Sequence, residues 1–315
     1  MTERRCISIV TPCFNEQENV AACRAEVKAL FDGPLQGYDH EHIFCDNRST
    51  DGTVAELKRL AADDPQLKVI VNSRNFGPLA STFNGVLATS GDAVVVLLAA
   101  DLQDPPAVIA DMVRTWEEGF QVAYGVRRTR EEGRLMRFVR GVYYRLIHKL
   151  SYVEVPINVG SFQLIDRCVV DALRGFEDHF PHLPSMIASC GFRAKAVPYD
   201  WVKRRAGSAK NKLHHLVDEA LNGIISFTKV PMRLCMFFGF AVAAFSMLYA
   251  VVSVILTFAN TGKMVPSGIQ TIIVGMFFLG GVQLFFLGVL GEYIAAIHSQ
   301  VRKRPLVIED ERCNF

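Results

Sequence analysis

The sequence predicts an α/β domain built on an open, largely parallel sheet, followed by a segment that crosses a membrane twice. Three observations carry that prediction. Short, β-branched apolar runs alternate with amphipathic helical stretches, the pattern of parallel strands covered by helices. Three of those runs end in polar clusters. Further on, Leu234–Ala259 and Ile269–Leu290 contain no charged residue, and each exceeds the roughly 20 residues needed to cross about 30 Å of hydrocarbon.

"CISIVTP" reads as a first strand by length and β-branching, ended by Pro12. Asn15 with Glu18 three residues on forms a capping box for a helix whose Val20, Cys23, Val27, Leu30 and Phe31 share a face. "HIFCD" is a second strand, followed by the turn-forming "NRSTDGT" and a helix with Val54, Leu57, Leu60 and Ala61. "LKVIV" is a third strand and "DAVVVLLAA" a fourth. A helix begins near Pro105, and "VAYGV" is a fifth strand.

Residues 131–150 are basic (Arg134, Arg137, Arg140, Arg145, Lys149), with apolar residues on one helical face. Leu213, Leu216, Val217, Ala220, Leu221, Ile224 and Ile225 recur at helical spacing just before the first apolar stretch. That helix suits a membrane interface, and its pattern equally fits a core-packing helix. Two spans follow, at 234–259 and 269–294. Lys229 and Arg233 precede them and Arg302–Arg304 follow, whereas the connecting turn carries only Lys263. The cation bias puts both termini in the cytoplasm.

The chain has 315 residues and a net charge of +2, too small to point to nucleic acid. Eight cysteines are scattered without metal-ligand spacing and read as free thiols. In open parallel sheets, ligands bind beyond the carboxyl ends of the strands. Pro12–Glu16, Asp46–Asp51 and Asp101–Asp104 are therefore expected to meet along one edge as a single site.

The ordered set "IVTPCFNEQENV", "DNRSTDGT", "NSRNFG", "GDAVVVLLAADLQDPP", "YGVRR" and "RRAGSAKNK" resembles the family 2 glycosyltransferases of GT-A fold. Within them it is most similar to the polyprenyl-phosphate type. The resemblance covers nearly the full length. It implies a transferase domain over 1–212, an interfacial helix over 213–230, a membrane domain over 231–298 and a cytoplasmic tail over 299–315.

The resemblance also implies roles. Pro12, Asn15, Glu16, Asp46, Asn47, Asp51, Asn75 and Ala100 bind the nucleotide. Helix capping alone would also account for Asn15 and Glu16, and a turn for Asp51. Asp101 and Gln103 match the end of a D-x-D-x-Q motif and hold Mg2+ or Mn2+, cations that prefer oxygen ligands. Asp101 and Arg127 are the catalytic candidates. Arg128, Arg137, Arg205, Ser208 and Lys210 bind the acceptor phosphate or the diphosphate, work suited to the arginine fork. Arg74 and Asn75 brace the site.

Two departures from the family pattern matter. Ala99 stands where the motif has its first aspartate, so the metal is held by Asp101, Gln103 and substrate phosphates, or another carboxylate compensates, Asp104 being nearest. Asn47 and Arg48 replace an aspartate and a glycine, which opens the choice of base. The expected reaction moves one sugar, with inversion, from a nucleotide sugar (UDP-sugar favoured, GDP-sugar possible) to polyprenyl phosphate at the cytoplasmic membrane face, for envelope glycan synthesis. Homo-oligomers are compatible with the small residues of the second span. Ala99 leaves a second reading: a membrane protein that binds sugar nucleotides without catalysis or with altered specificity. A polysaccharide synthase fits less well, because Trp201 lacks the Q-x-x-R context.

Overall fold

The structure is a computed structural model describing residues 4–128, 159–178, 181–202, 235–242, 244–245, 248–249, 252, 255, 269–302 and 304–315. The chain divides into two units, the first containing the sheet and the closing residues 303–315, the second containing 211–302.

Among the described residues the first unit holds eight strands: β1 (Cys6–Cys13), β2 (Asp39–Asp46), β3 (Leu67–Asn72), β4 (Ala93–Val95), β5 (Val122–Arg127), β6 (Val159–Asp166), β7 (Ala194–Tyr199) and β8 (Glu309–Cys313). Their order across the sheet is β7-β5-β6-β4-β1-β2-β3-β8. β4, β1, β2 and β3 run parallel, as does the β5–β7 pair, while β6 and β8 are antiparallel to their neighbours. The mostly parallel α/β class therefore holds. The fourth strand is shorter than its apolar run, because the chain leaves the ladder after Val95 and is then held by Val96 N to Gln163 O and Leu98 N to Val10 O.

Alternate residues of each strand feed opposite cores, as strand geometry dictates. Ile7, Ile9, Val69 and Val95 join one cluster with Val27 of α1 (Val20–Asp32), Leu57 of α2 (Thr53–Asp63) and Met112 of α4 (Val108–Glu117). Val10, Ile70 and Val94 join the other, with Phe83 of α3 (Pro78–Leu87), Val170 of α5 (Arg167–Leu173) and Met186 of α6 (Leu183–Ser189). The sheet is thus covered on both faces, which is why its central strands β1, β3 and β4 read as largely apolar runs.

Two expectations are corrected. The Asn15–Glu18 capping box does not form: α1 starts at Val20, and Asn15 sits at φ +56° with its side chain bonded to a neighbouring loop. Residues 309–313, expected in a tail, form edge strand β8 on β3. Asn314 Nδ2 then caps the end of α2 by donating to Ala61 O at 2.8 Å and Leu67 O at 2.9 Å. All eight cysteines are free thiols, as the scattered spacing predicts.

In the second unit, α7 (Ile269–Val301) has 33 residues, about 50 Å at 1.5 Å per residue. Within it, Phe278–His298 is long and apolar enough to cross a membrane. Its apolar side chains are exposed around the helix, including Met276, Leu284, Phe285 and Ile297. The basic segment 131–150, the helix at 213–230 and most of the first expected span lie outside the described residues.

The amino ends of the strands carry buried titratable groups. His40 stacks on Phe31 at 4.1 Å and lies 3.2 Å from Arg24 Nη1. Burial, then the Arg24 charge, lowers its pKa to about 4. Burial likewise holds His42 well below the usual range. Above pH 6.5 these imidazoles are neutral in both folded and unfolded chains, so stability is undiminished. As pH falls from 6.5 towards about 4, the unfolded chain takes up protons that the folded His40 refuses. Melting temperature is expected to fall across that window, and His40→Gln is expected to flatten part of the dependence in a pH series of thermal melts.

Candidate active site

The tips of β1 and β2 are knitted into one loop pair. Asp46 is fully buried; its Oδ1 accepts from Ser49 N at 2.9 Å, and its other oxygen accepts from the Ser49 hydroxyl. Asn15 Oδ1 accepts from Thr50 N at 2.8 Å, Asn15 N donates to Ser49 Oγ at 2.9 Å, and Glu16 N donates to Thr53 Oγ1 at 3.0 Å. Asp51 accepts from Thr53 N at 3.0 Å, starting α2. Pro12 is half-buried opposite Cys45 in the ladder. These polar residues tie the two loops into one hydrogen-bonded rim, with buried Asp46 beneath it.

The loop after β3 joins the same rim. Asn47 is buried; its Oδ1 accepts from Asn72 Nδ2 at 2.9 Å and its Nδ2 donates to Gly77 O at 3.4 Å. An aspartate there has no N–H to donate, so the amide suits this brace. Asn75 Oδ1 accepts from Gly77 N at 2.8 Å, and Arg74 lies over Phe76 at 4.1 Å. Gly77 has φ +85°, a conformation that glycine adopts without strain. Arg48, where the family pattern has glycine, adopts φ +61° and pairs with Asp310 of β8.

The tip of β4 lies beside β1 through Leu98 N to Val10 O. Asp101 and Gln103 are half-buried, and Asp101 Oδ1 accepts from Gln103 N at 3.3 Å. Leu102 between them has φ +57° and packs into the first core cluster. A left-handed conformation costs an L-residue roughly 1–2 kcal/mol, which burial of the leucine offsets. Ala100 is buried in that cluster, so its side chain packs inward.

No group of three or more His, Cys, Asp or Glu suited to a metal occurs among the described residues. Asp104 does not stand in for the missing aspartate. It is buried, and its oxygens accept from Arg127 Nη2 at 3.0 and 3.3 Å and from Tyr199 Oη at 2.5 Å. The oxygen set at this tip is thus one carboxylate and one amide. It fits a hard cation that draws its remaining oxygens from a diphosphate and water, as Mg2+ commonly does.

Arg127 ends β5, opposite Tyr199 in the ladder, with its guanidinium 5.4 Å from the Trp201 ring centre. Burial, reinforced by the Asp104 charge, raises the Tyr199 pKa and keeps that hydroxyl protonated. Val202 N donates to Gln103 O at 3.1 Å, tying this segment to the β4 tip. Arg128 is exposed, with Asp200 at 3.9 Å. Tyr199 and Trp201 were not among the expected site residues; their signal is an aromatic pair directly ahead of the basic "KRRAGSAKNK". Arg137, Arg205, Ser208 and Lys210 lie outside the described residues.

The fold and this rim define a class: an α/β protein with polar loops gathered at the tips of its parallel strands and an apolar helix in the same chain. The chain belongs to glycosyltransferase family 2, with residues 8–174 matching glycosyl transferase family 2 and residues 230–297 matching the GtrB C-terminal hairpin. It is an enzyme of sugar transfer. The SfII prophage-derived bactoprenol glucosyl transferase of Shigella flexneri is 35% identical over 305 residues, 96% of each chain. The prophage bactoprenol glucosyl transferase homolog of Escherichia coli K12 is 32% identical over 305 residues, 96% of this chain and 97% of its own. Mannosyltransferase PcManGT of Pyrobaculum calidifontis, in complex with GDP-Man and Mn2+, has a TM-score of 0.49 at 17% identity, covering 96% of this chain and 89% of its own.

Proposed function

We propose that the enzyme moves a single sugar from a nucleoside-diphosphate sugar to a polyprenyl phosphate at the cytoplasmic face of a membrane, with inversion at the anomeric carbon. The observation that carries this reading is the union, in one chain, of a family 2 domain and an exposed apolar helix of 33 residues. A soluble acceptor needs no such helix. Relatives named as bactoprenol glucosyl transferases along 96% of this chain support glucose as the sugar, and the favoured donor is a UDP-sugar.

The acceptor supplies its own nucleophile. A phosphate monoester has a second pKa near 6 and is largely dianionic at neutral pH, so no general base is needed. The protein aligns that oxygen opposite the leaving nucleotide and excludes water. Asp101 and Gln103 would hold Mg2+ or Mn2+, which would supply charge neutralisation of the leaving group. Arg127, Arg128, Arg137, Arg205, Ser208 and Lys210 bind the two phosphate groups. The loops carrying Asn15, Asp46, Asn47 and Asn75 form the nucleotide rim. Two spans and an interfacial helix over 213–230 keep both termini cytoplasmic, and the lipid product feeds envelope glycan synthesis.

The test is transfer from radiolabelled UDP-glucose and GDP-mannose to undecaprenyl phosphate in detergent, with Mn2+ or with chelator. Labelled lipid from UDP-glucose, lost on chelation, is the expected result. Nucleotide binding with no labelled lipid from either donor would reject the reading.

A further inference from the structure

The end of β5 and the segment 199–202 form a cluster in which Arg127 and Asp104 belong to the motifs quoted above and Tyr199 and Trp201 do not. Three side chains close a ring of hydrogen bonds: Arg127 Nε to Tyr199 Oη at 3.1 Å, Tyr199 Oη to Asp104 Oδ1 at 2.5 Å, and Arg127 Nη2 to Asp104 at 3.0 and 3.3 Å. The ring has a closed side and an open side. Asp104 and Tyr199 are 4% and 5% exposed, whereas the Arg127 side chain is 32% exposed. A guanidinium has five N–H groups in a planar fork. Here Nε and Nη2 are engaged, and Nη1 makes no hydrogen bond among the described residues.

The surroundings are built to keep that arrangement. Gly125 leaves room for the Tyr199 ring, since a Cβ there would lie 2.7 Å from Tyr199 Cε1. Phe162 packs edge-on against the same ring at 5.6 Å. Trp201 lies against the guanidinium and restricts its swing. Asp104 is three residues beyond Asp101 on one turn, so the ring fixes Arg127 relative to the candidate cation ligands.

We infer that Asp104 and Tyr199 are positioning residues that lock Arg127 with its remaining guanidinium edge turned to the acceptor phosphate. The inference rests on the proposed role of Arg127 as a phosphate-binding group. A free arginine loses rotamer freedom each time it grips an anion; one already held on two nitrogens loses little. The arrangement therefore acts on acceptor use while leaving the nucleotide rim untouched.

The experiment compares Tyr199→Phe, Asp104→Asn and Arg127→Lys in the full-length enzyme. It measures kcat, KM for undecaprenyl phosphate, KM for the nucleotide sugar, and melting temperature. Tyr199→Phe removes one hydroxyl and keeps the packed ring. It is expected to lower kcat/KM for the lipid acceptor by roughly tenfold, the size of one charge-assisted hydrogen bond, with donor KM and melting temperature near wild type. Asp104→Asn is expected to lose more. Wild-type acceptor kinetics in Tyr199→Phe beside an impaired Arg127→Lys would overturn the inference while sparing the role of Arg127. Equal loss for both substrates together with a lowered melting temperature would also overturn it, as a purely structural effect. An unimpaired Arg127→Lys would instead remove the premise.

Discussion

Asp101→Asn is expected to lower kcat/KM for sugar transfer by about 10²- to 10³-fold, the usual loss when one group stabilising developing charge is removed. Asparagine keeps the side-chain volume and can still accept from Gln103 N, whose bond to Asp101 is 3.3 Å. The turn at Leu102 should therefore survive, and melting temperature should not move. What disappears is the negative charge. Asp104 cannot replace it, because both its oxygens are committed to Arg127 and Tyr199. Raising Mn2+ is expected to recover part of the loss, since a neutral amide binds a cation more weakly. Undiminished transfer in the labelled-lipid assay would show that the reaction does not depend on a cation at this position.

Glu41→Gln is expected to have the opposite profile, a large loss of stability with little loss of chemistry. Glu41 is buried and accepts from Ser8 Oγ at 2.5 Å, Ser90 N at 2.6 Å, Ser90 Oγ at 2.8 Å and Lys68 Nζ at 2.6 Å. Burial alone would raise its pKa, but the bonds from Lys68, Ser8 and Ser90 outweigh that pull and lower it. An amide in its place turns two N–H donors towards a site furnished with donors and strands the Lys68 charge. Breaking such a pair costs about 3 kcal/mol when one partner keeps some contact with water. For a domain of this size that is a fall in melting temperature of about 6–12 °C. Glu41 lies five residues before Asp46 on β2, roughly 17 Å from the strand tip at about 3.3 Å per residue. Activity well below the melting point should therefore persist. A melting temperature within a degree of wild type would contradict the account.

The contrast between these two sites shows what the sequence could and could not convey. β1, β2 and β3 were legible because strands buried on both faces read as apolar runs, and β5 because a turn isolates it. β6 was missed because Gly160, Ser161 and Gln163 interrupt its pattern, and β8 because "EDERC" carries almost no apolar signal on an exposed edge. The capping box failed for a related reason. Asn15 spends its side chain on Thr50, a partner 35 residues away that no local spacing reveals. At the site, residue type announced polar clusters at the strand tips, and the structure brings those tips together. Direction was not legible. Asp101 and Asp104 look alike on paper, yet one stays half-exposed and the other turns inward to Arg127, a difference set by the left-handed Leu102 and by the placement of Tyr199.

Among the described residues, the order of strands leaves the sheet with two open margins, β7 and β8. An unpaired strand margin is a template on which another chain can grow. Each margin here is spoiled in its own way. β8 shows a row of ions, Glu309, Asp310, Glu311 and Arg312, to whatever approaches. β7 carries Lys195 and then Pro198, which lacks the N–H that a ladder needs. A second copy meeting either margin finds charge to desolvate or a missing donor.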